Sequence, residues 1–129
     1  MTVGQFVFML HSHLPSYRKA GMWPFGEENL YECMAETYVP LLNAISELYD
    51  DEGIKAKLTV GITPILAEQL NDEHLQNGFI EYLDARIKAI SKDLERYPDP
   101  EVAHSQHLKY LAKYYFDWFN HIKDSFINK

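Results

Sequence analysis

The sequence predicts an α/β fold in which two parallel strands and amphipathic helices form the N-terminal part of a larger parallel α/β barrel. Short continuous apolar runs occupy residues 6–10 and the middle of KAKLTVGITP, residues 55–64, which is the pattern of strands buried on both faces. A helical period separates these runs and further helical periods follow, giving the strand, helix, strand, helices order of a βαβ unit with a right-handed crossover. Two strands do not complete a parallel sheet, because such a sheet needs both faces covered and a pair leaves both outer edges open.

Taken in order, FVFML at residues 6–10 is the first strand. It runs into a loop bearing Pro15, Gly21, Pro24 and Gly26, long enough to suggest a functional segment. From Glu27 the apolar residues Tyr31, Met34, Ala35, Tyr38, Leu41, Leu42, Ile45, Leu48 and Tyr49 recur in steps of three and four, one stripe of a helix. Pro40 lies inside that stripe, removes a backbone donor and crowds the preceding turn, so a kink or break is expected there. Asp50, Asp51, Glu52 and Gly53 stop the helix, and the second strand ends at Thr63 and Pro64. A short helix over residues 65–70 follows, then Asn71 or Asp72 caps a helix with Phe79, Leu83, Ile87, Ile90 and Leu94 on its apolar side. YPDPE at residues 97–101 breaks it, and Asp99 or Pro100 opens a last helix, apolar at Leu108, Leu111, Tyr115, Trp118, Phe119, Ile122 and Phe126. Three such helices around so small a sheet leave apolar surface unpartnered, and the chain stops at Lys129 just past the aromatic-rich helix, so a truncated barrel is expected.

The chain has 129 residues, and 19 acidic against 12 basic groups give a net charge of −7. That balance argues against a nucleic-acid partner, which calls for clustered Lys and Arg, and leaves neutral, hydroxyl-rich ligands open. Cys33 is the sole cysteine, so no internal disulfide forms and a reducing cytosol fits. The start, MTVGQFVFMLHSH, has no basic leader and too short an apolar run for a signal or a span, so a cytoplasmic protein without a membrane partner is expected. No oligomeric state is specified.

Alternate residues of a strand share a face, so His11 and His13 project together from the carboxyl end of the first strand. In parallel α/β folds and barrels, ligands sit beyond that end. Two imidazoles there can bind a metal, share protons or hydrogen-bond a polar ligand; the plainer alternative is a pair bonded to backbone at a strand terminus.

Three blocks, FVFMLHSHLPSYRKAGMWPFGEENLYE, AETYVPLLNAISEL and KLTVGITPILAEQL, resemble glycoside hydrolase family 57 and, within it, the 1,4-α-glucan branching-enzyme group. The resemblance is dense over residues 4–83 and thins over the last helix. It implies an incomplete (β/α)7 barrel, of which residues 1–129 would be the N-terminal part of the catalytic domain. His11, Ser12, His13, Leu14 and Pro15 match the family's first motif, which lines its sugar cleft, so the resemblance carries His11 and His13 over as substrate contacts. GITPIL is similar to the second motif, where some amylase-type members have a carboxylate and this chain has Thr63, a departure that suits the branching group. The family's chemistry is retaining, with a glutamate nucleophile and an aspartate acid/base. A branching enzyme passes the glycosyl group to a 6-hydroxyl of an α-1,4-glucan such as amylose or a glycogen-like chain. No segment here matches the motifs that carry the catalytic pair, so these residues are expected to supply part of the donor-sugar site, no catalytic residue and no activity alone, and no cofactor or metal is implied.

Trp23, in GMWPFGEEN, can stack on a pyranose ring or pin its loop to the barrel; loops over strand ends often bear function. Glu27 and Glu28 read as acids favoured at a helix start rather than a catalytic pair. Tyr17, Arg18 and Lys19 read as solvated loop residues. YLAKYYFDWF, residues 110–119, could form a stacking platform, but its helical spacing reads as core. His104 and His107 lack a partner at metal-ligand spacing, His74 and His121 stand alone, and Cys33 is a small packed residue. Two other functions fit parts of the pattern. One is a metal-dependent amidohydrolase, with His-x-His at strand one and further ligands at later strands. The other is a non-catalytic glucan-binding fragment.

Overall fold

A computed structural model describes residues 4–96 and 103–128, with side chains from residue 106 onward in the last helix. Strand β1 (Phe8–Ser12) pairs in parallel with β2 (Leu58–Ile62), with Phe8 opposite Leu58 and His11 opposite Gly61. The connection between them is helical, and three helices follow β2. The expected two-strand parallel α/β architecture is therefore present.

Helix α1 (Glu27–Cys33) passes into a π-helical turn (Met34–Tyr38) and then into α2 (Val39–Glu52). The expected break at Pro40 takes this form. The Val39 N–H reaches back five residues to the Met34 carbonyl, and the widened turn lies just ahead of the residue that has no N–H to give. Gly53, with φ 66°, ends α2 in the left-handed conformation, its N–H donating to the Tyr49 carbonyl at 3.1 Å. Pro64 opens α3 (Pro64–Leu70), Pro being pre-shaped for a first helical turn. Asp72 caps α4 (Glu73–Arg96), its Oδ1 accepting the Leu75 N–H at 3.2 Å. The sequence left Asn71 and Asp72 as alternatives, and Asp72 takes the role. Helix α5 is Ala103–Asn128. The YPDPE breaker and the opening roles of Asp99 and Pro100 lie outside the described residues.

Helices α4 and α5 run antiparallel, Phe79 meeting Phe126 edge-on at 4.9 Å and Tyr82 meeting Phe119 at 6.5 Å between centroids. Tyr31, Leu30, Met34 and Ala35 from the first helical segment and Leu66 from α3 complete the buried core with Leu75, Leu83 and Ile122. Asn43 of α2 donates to Ser125 Oγ of α5 at 2.9 Å, tying the two helices by a buried amide. The expected core stripe of α5 is buried at Phe119 and Ile122 and partly buried at Trp118 and Phe126, while Tyr110, Tyr114 and Tyr115 are exposed.

One expectation is overturned. The strands were read as buried on both faces, yet Phe6 is 87% exposed and Met9 69%, and no strand residue belongs to the buried core. Helices α4 and α5 bury part of their apolar stripes against each other and the first helical segment, while Leu42, Leu48 and Tyr49 of α2 stay exposed, as the expected unpartnered apolar surface. Helices α2 and α3 line a cavity on one side of the sheet, and Met9 and Thr59 on the other side are exposed. Periodicity reports that a run is apolar; it does not report what covers it. No helix among the described residues is long and apolar enough to cross a membrane.

Candidate functional site

The two strand ends are joined where the Thr63 N–H donates to the Ser12 carbonyl at 3.3 Å. Leu10, Ser12, Val60 and Ile62 border a cavity of about 310 Å³ that Tyr38 and Leu41 close from the α2 side and Leu66 from α3. Alternation along the strands sends the next set, His11 and Gly61, to the opposite face. Gly61 gives the imidazole room: a Cβ at that residue would sit 3.3 Å from His11 Nδ1. His11 also borders the cavity.

His13 stands one residue past β1, exposed like His11. The Thr63 hydroxyl is buried with no hydrogen-bond partner among the described residues. His11, His13 and Thr63 thus cluster at the carboxyl ends of the two strands. Trp23 is 77% exposed in the loop after β1, and no described contact joins it to those three. Tyr38 faces Ser12 across the cavity; burial pushes its phenol up, and the hydrogen bond with Ser12 partly offsets that.

The loop over residues 13–26 is tied down by side chains the sequence reading passed over. Gln69, 4% exposed, accepts the Tyr17 N–H on Oε1 at 2.7 Å and donates from Nε2 to the Pro15 carbonyl at 3.0 Å. Its signal was a polar residue three positions after buried Leu66, on the inward side of α3. Glu27, read as a helix-start acid, is buried. Its Oε1 accepts the Lys19 N–H at 2.8 Å and lies 3.0 Å from His74 Nε2, and its Oε2 accepts from the Tyr31 hydroxyl at 3.1 Å. Burial works to raise the Glu27 carboxyl, but the Lys19 N–H, His74 and Tyr31 outweigh it and hold the group below the ordinary carboxylate value. Burial and the Glu27 charge push the Tyr31 phenol well up. His74 therefore does not stand alone. Arg18 is likewise engaged, with Nε 2.5 Å from Asp72 Oδ2. Glu28 pairs with Arg86, which lies over the Tyr82 ring.

The remaining candidates stay peripheral. His107 and His121 are exposed, and the His104 side chain lies outside the described residues. Burial raises the Cys33 thiol, as befits a packed residue. Among the described residues no three His, Cys, Asp or Glu side chains converge to hold a metal.

No family model matches the chain. It is 44% identical over 115 residues to a 1,4-alpha-glucan branching enzyme of Thermococcus kodakarensis, covering 89% of this chain and 17% of that protein. Among solved structures, a GH57-type branching enzyme of Pyrococcus horikoshii superposes with TM-score 0.84 at 36% identity, over 95% of this chain and 22% of that one. The structure of the Thermococcus kodakaraensis GH57 branching enzyme, in complex with glucose and additives, gives TM-score 0.81 at 36% identity over 95% and 20%. The chain spans about a fifth of the length of these relatives.

Proposed function

From a chain that is similar over nearly its whole length to part of glycoside hydrolase family 57 branching enzymes, we propose a role within a longer α-glucan-acting, retaining transglycosylase, working as a 1,4-α-glucan branching enzyme in the cytoplasm. The observation that carries this reading is the 44% identity over 89% of the chain. Residues 1–129 then form the N-terminal part of an incomplete (β/α)7 catalytic barrel. The side of the pair that α2 and α3 approach becomes the barrel's exterior, and the side of His11 faces its interior.

His11, His13 and Thr63 hold the donor sugar at the strand ends, and Trp23 offers an indole face to the apolar C–H side of a pyranose. The imidazoles can each donate and accept hydrogen bonds with neighbouring hydroxyls, which suits a neutral ligand. The chemistry itself belongs to a carboxylate pair elsewhere in the longer protein. One carboxylate displaces the glucan leaving group at C1, forming a glycosyl ester, as its acid partner protonates the glycosidic oxygen. The 6-hydroxyl of a second α-1,4-glucan then attacks C1 and expels the first carboxylate while that partner, now a base, takes its proton. The substrate is amylose or a glycogen-like glucan.

The test is incubation of the intact protein with amylose, followed by an α-1,6-specific debranching enzyme. Release of new short chains is expected, and His13→Ala should lower it at least tenfold with unchanged circular dichroism. Reducing sugar without branch points would assign hydrolysis instead, and oligosaccharide binding without turnover would leave a binding module.

A further inference from the structure

We infer that Gln69 and Glu27 are positioning residues that hold the 13–26 loop, and Trp23 with it, in a fixed pose at the carboxyl end of β1. The inference rests on the reading of Trp23 as a sugar platform and adds what makes that platform rigid.

The base and tip of the loop are held differently. Leu14 and Tyr17 at the base pack partly against the core, whereas Met22, Trp23 and Phe25 at the tip are exposed. Met22 borders a pocket with Tyr82 and Ala85 of α4, while Trp23 and Phe25 are the most exposed part of the tip, and polar bonds close the turn that carries them. The Gln69 amide bridges the Tyr17 N–H and the Pro15 carbonyl, and its Nε2 also lies 3.3 Å from the Ile65 carbonyl, linking the loop to the first turn of α3. Glu27 takes over at Lys19. Its own N–H donates to the Gly21 carbonyl at 2.8 Å, closing the Trp23 turn, and the Glu28 N–H reaches the Met22 carbonyl at 3.3 Å. The closure is tight: a Cβ on Gly26 would sit 2.1 Å from the Gly21 carbonyl oxygen. Lys19 and Phe25 hold left-handed backbone at φ 60° and 62°, a conformation non-glycine residues adopt only when their surroundings impose it.

Gln69 thus directs most of its hydrogen bonds at this loop, and Glu27 adds one to it while also holding Tyr31 and His74. A loop already fixed loses less entropy when a ligand arrives, so the clamp acts on affinity through Trp23 without touching the sugar.

Hydrogen exchange and maltoheptaose calorimetry on the intact protein test this. In Gln69→Ala the Tyr17 amide should exchange at least tenfold faster with amides around Phe79 and Ile122 unchanged, and in Glu27→Ala the Lys19 amide should do so with amides around Ile122 unchanged. Maltoheptaose affinity should fall several-fold in Gln69→Ala and in Trp23→Ala, and the double variant should bind no more weakly than Trp23→Ala. Gln69→Glu, which keeps the Tyr17 acceptor and loses the donor to Pro15, should restore Tyr17 protection in part and serves if the alanine variant does not fold. Unchanged protection at Tyr17 and Lys19 would overturn the clamp. Faster exchange with unchanged affinity, while Trp23→Ala binds weakly, would overturn its link to the ligand. Unchanged affinity in Trp23→Ala would instead sink the sugar-platform reading, and the link with it, while the exchange data would still establish the clamp.

Discussion

Glu27 shows how much a single carboxylate can organise when it is buried with its partners. Its two oxygens meet the Lys19 N–H, His74 and the Tyr31 hydroxyl, and its carboxyl is held below the ordinary 4.5. A depressed carboxylate contributes stability that is present above its unfolded value and is lost as pH falls through its folded one. The urea midpoint should therefore drop as pH falls below about 4.5, and Glu27→Gln should flatten that part of the profile. An equal slope in both proteins would place the acid sensitivity elsewhere. None of this was legible from the EE pair in sequence, because acids at a helix start are ordinarily solvated. The strand-end position of His11 and His13 was legible, because their spacing is local. Gln69 was half legible: its inward position on α3 could be read, but not that residues more than fifty positions earlier supply its partners.

Helix by helix, the periodic stripes predicted the elements well: α4 buries Phe79 and Leu83 and α5 buries Phe119 and Ile122, although Tyr115 of the expected α5 stripe is exposed. The Pro40 break was predicted as well, though its form as a π turn depends on how the crowded carbonyl relaxes. Gly78 of α4 carries an element-scale prediction that propensity alone gets wrong. Alanine is favoured over glycine in a helix by about 1 kcal/mol. A Cβ on Gly78, however, would lie 2.1 Å from the Tyr31 hydroxyl oxygen and 2.9 Å from its ring carbon. Tyr31 is fully buried and bonded to Glu27, so it has nowhere to go. Gly78→Ala should destabilise the fold by about 1–3 kcal/mol, the range of an overpacked core, as read from thermal or urea unfolding. A gain in stability would mean that α1 and α4 are less closely packed than described.

For the whole molecule, the division between a buried helical core and an exposed strand pair governs the functional reading. The helices supply the whole buried core, while Phe6, Met9, Val60 and Ile62 remain accessible on or beside the two strands. Sequence patterning marked these residues as apolar and placed them inside, whereas in this chain they are exposed, because burial of a parallel strand depends on neighbours that a local pattern does not encode. On the His11 side of the strand pair, Met9 and His11 themselves are exposed. We propose that the carboxyl ends of β1 and β2 receive an α-1,4-glucan. This is tested most directly by a crystal structure of the intact protein with maltoheptaose. A glucose unit hydrogen-bonded to His11 and His13, with a pyranose ring stacked on Trp23, is the predicted result; a well-ordered oligosaccharide bound elsewhere, with both imidazoles untouched, would contradict it.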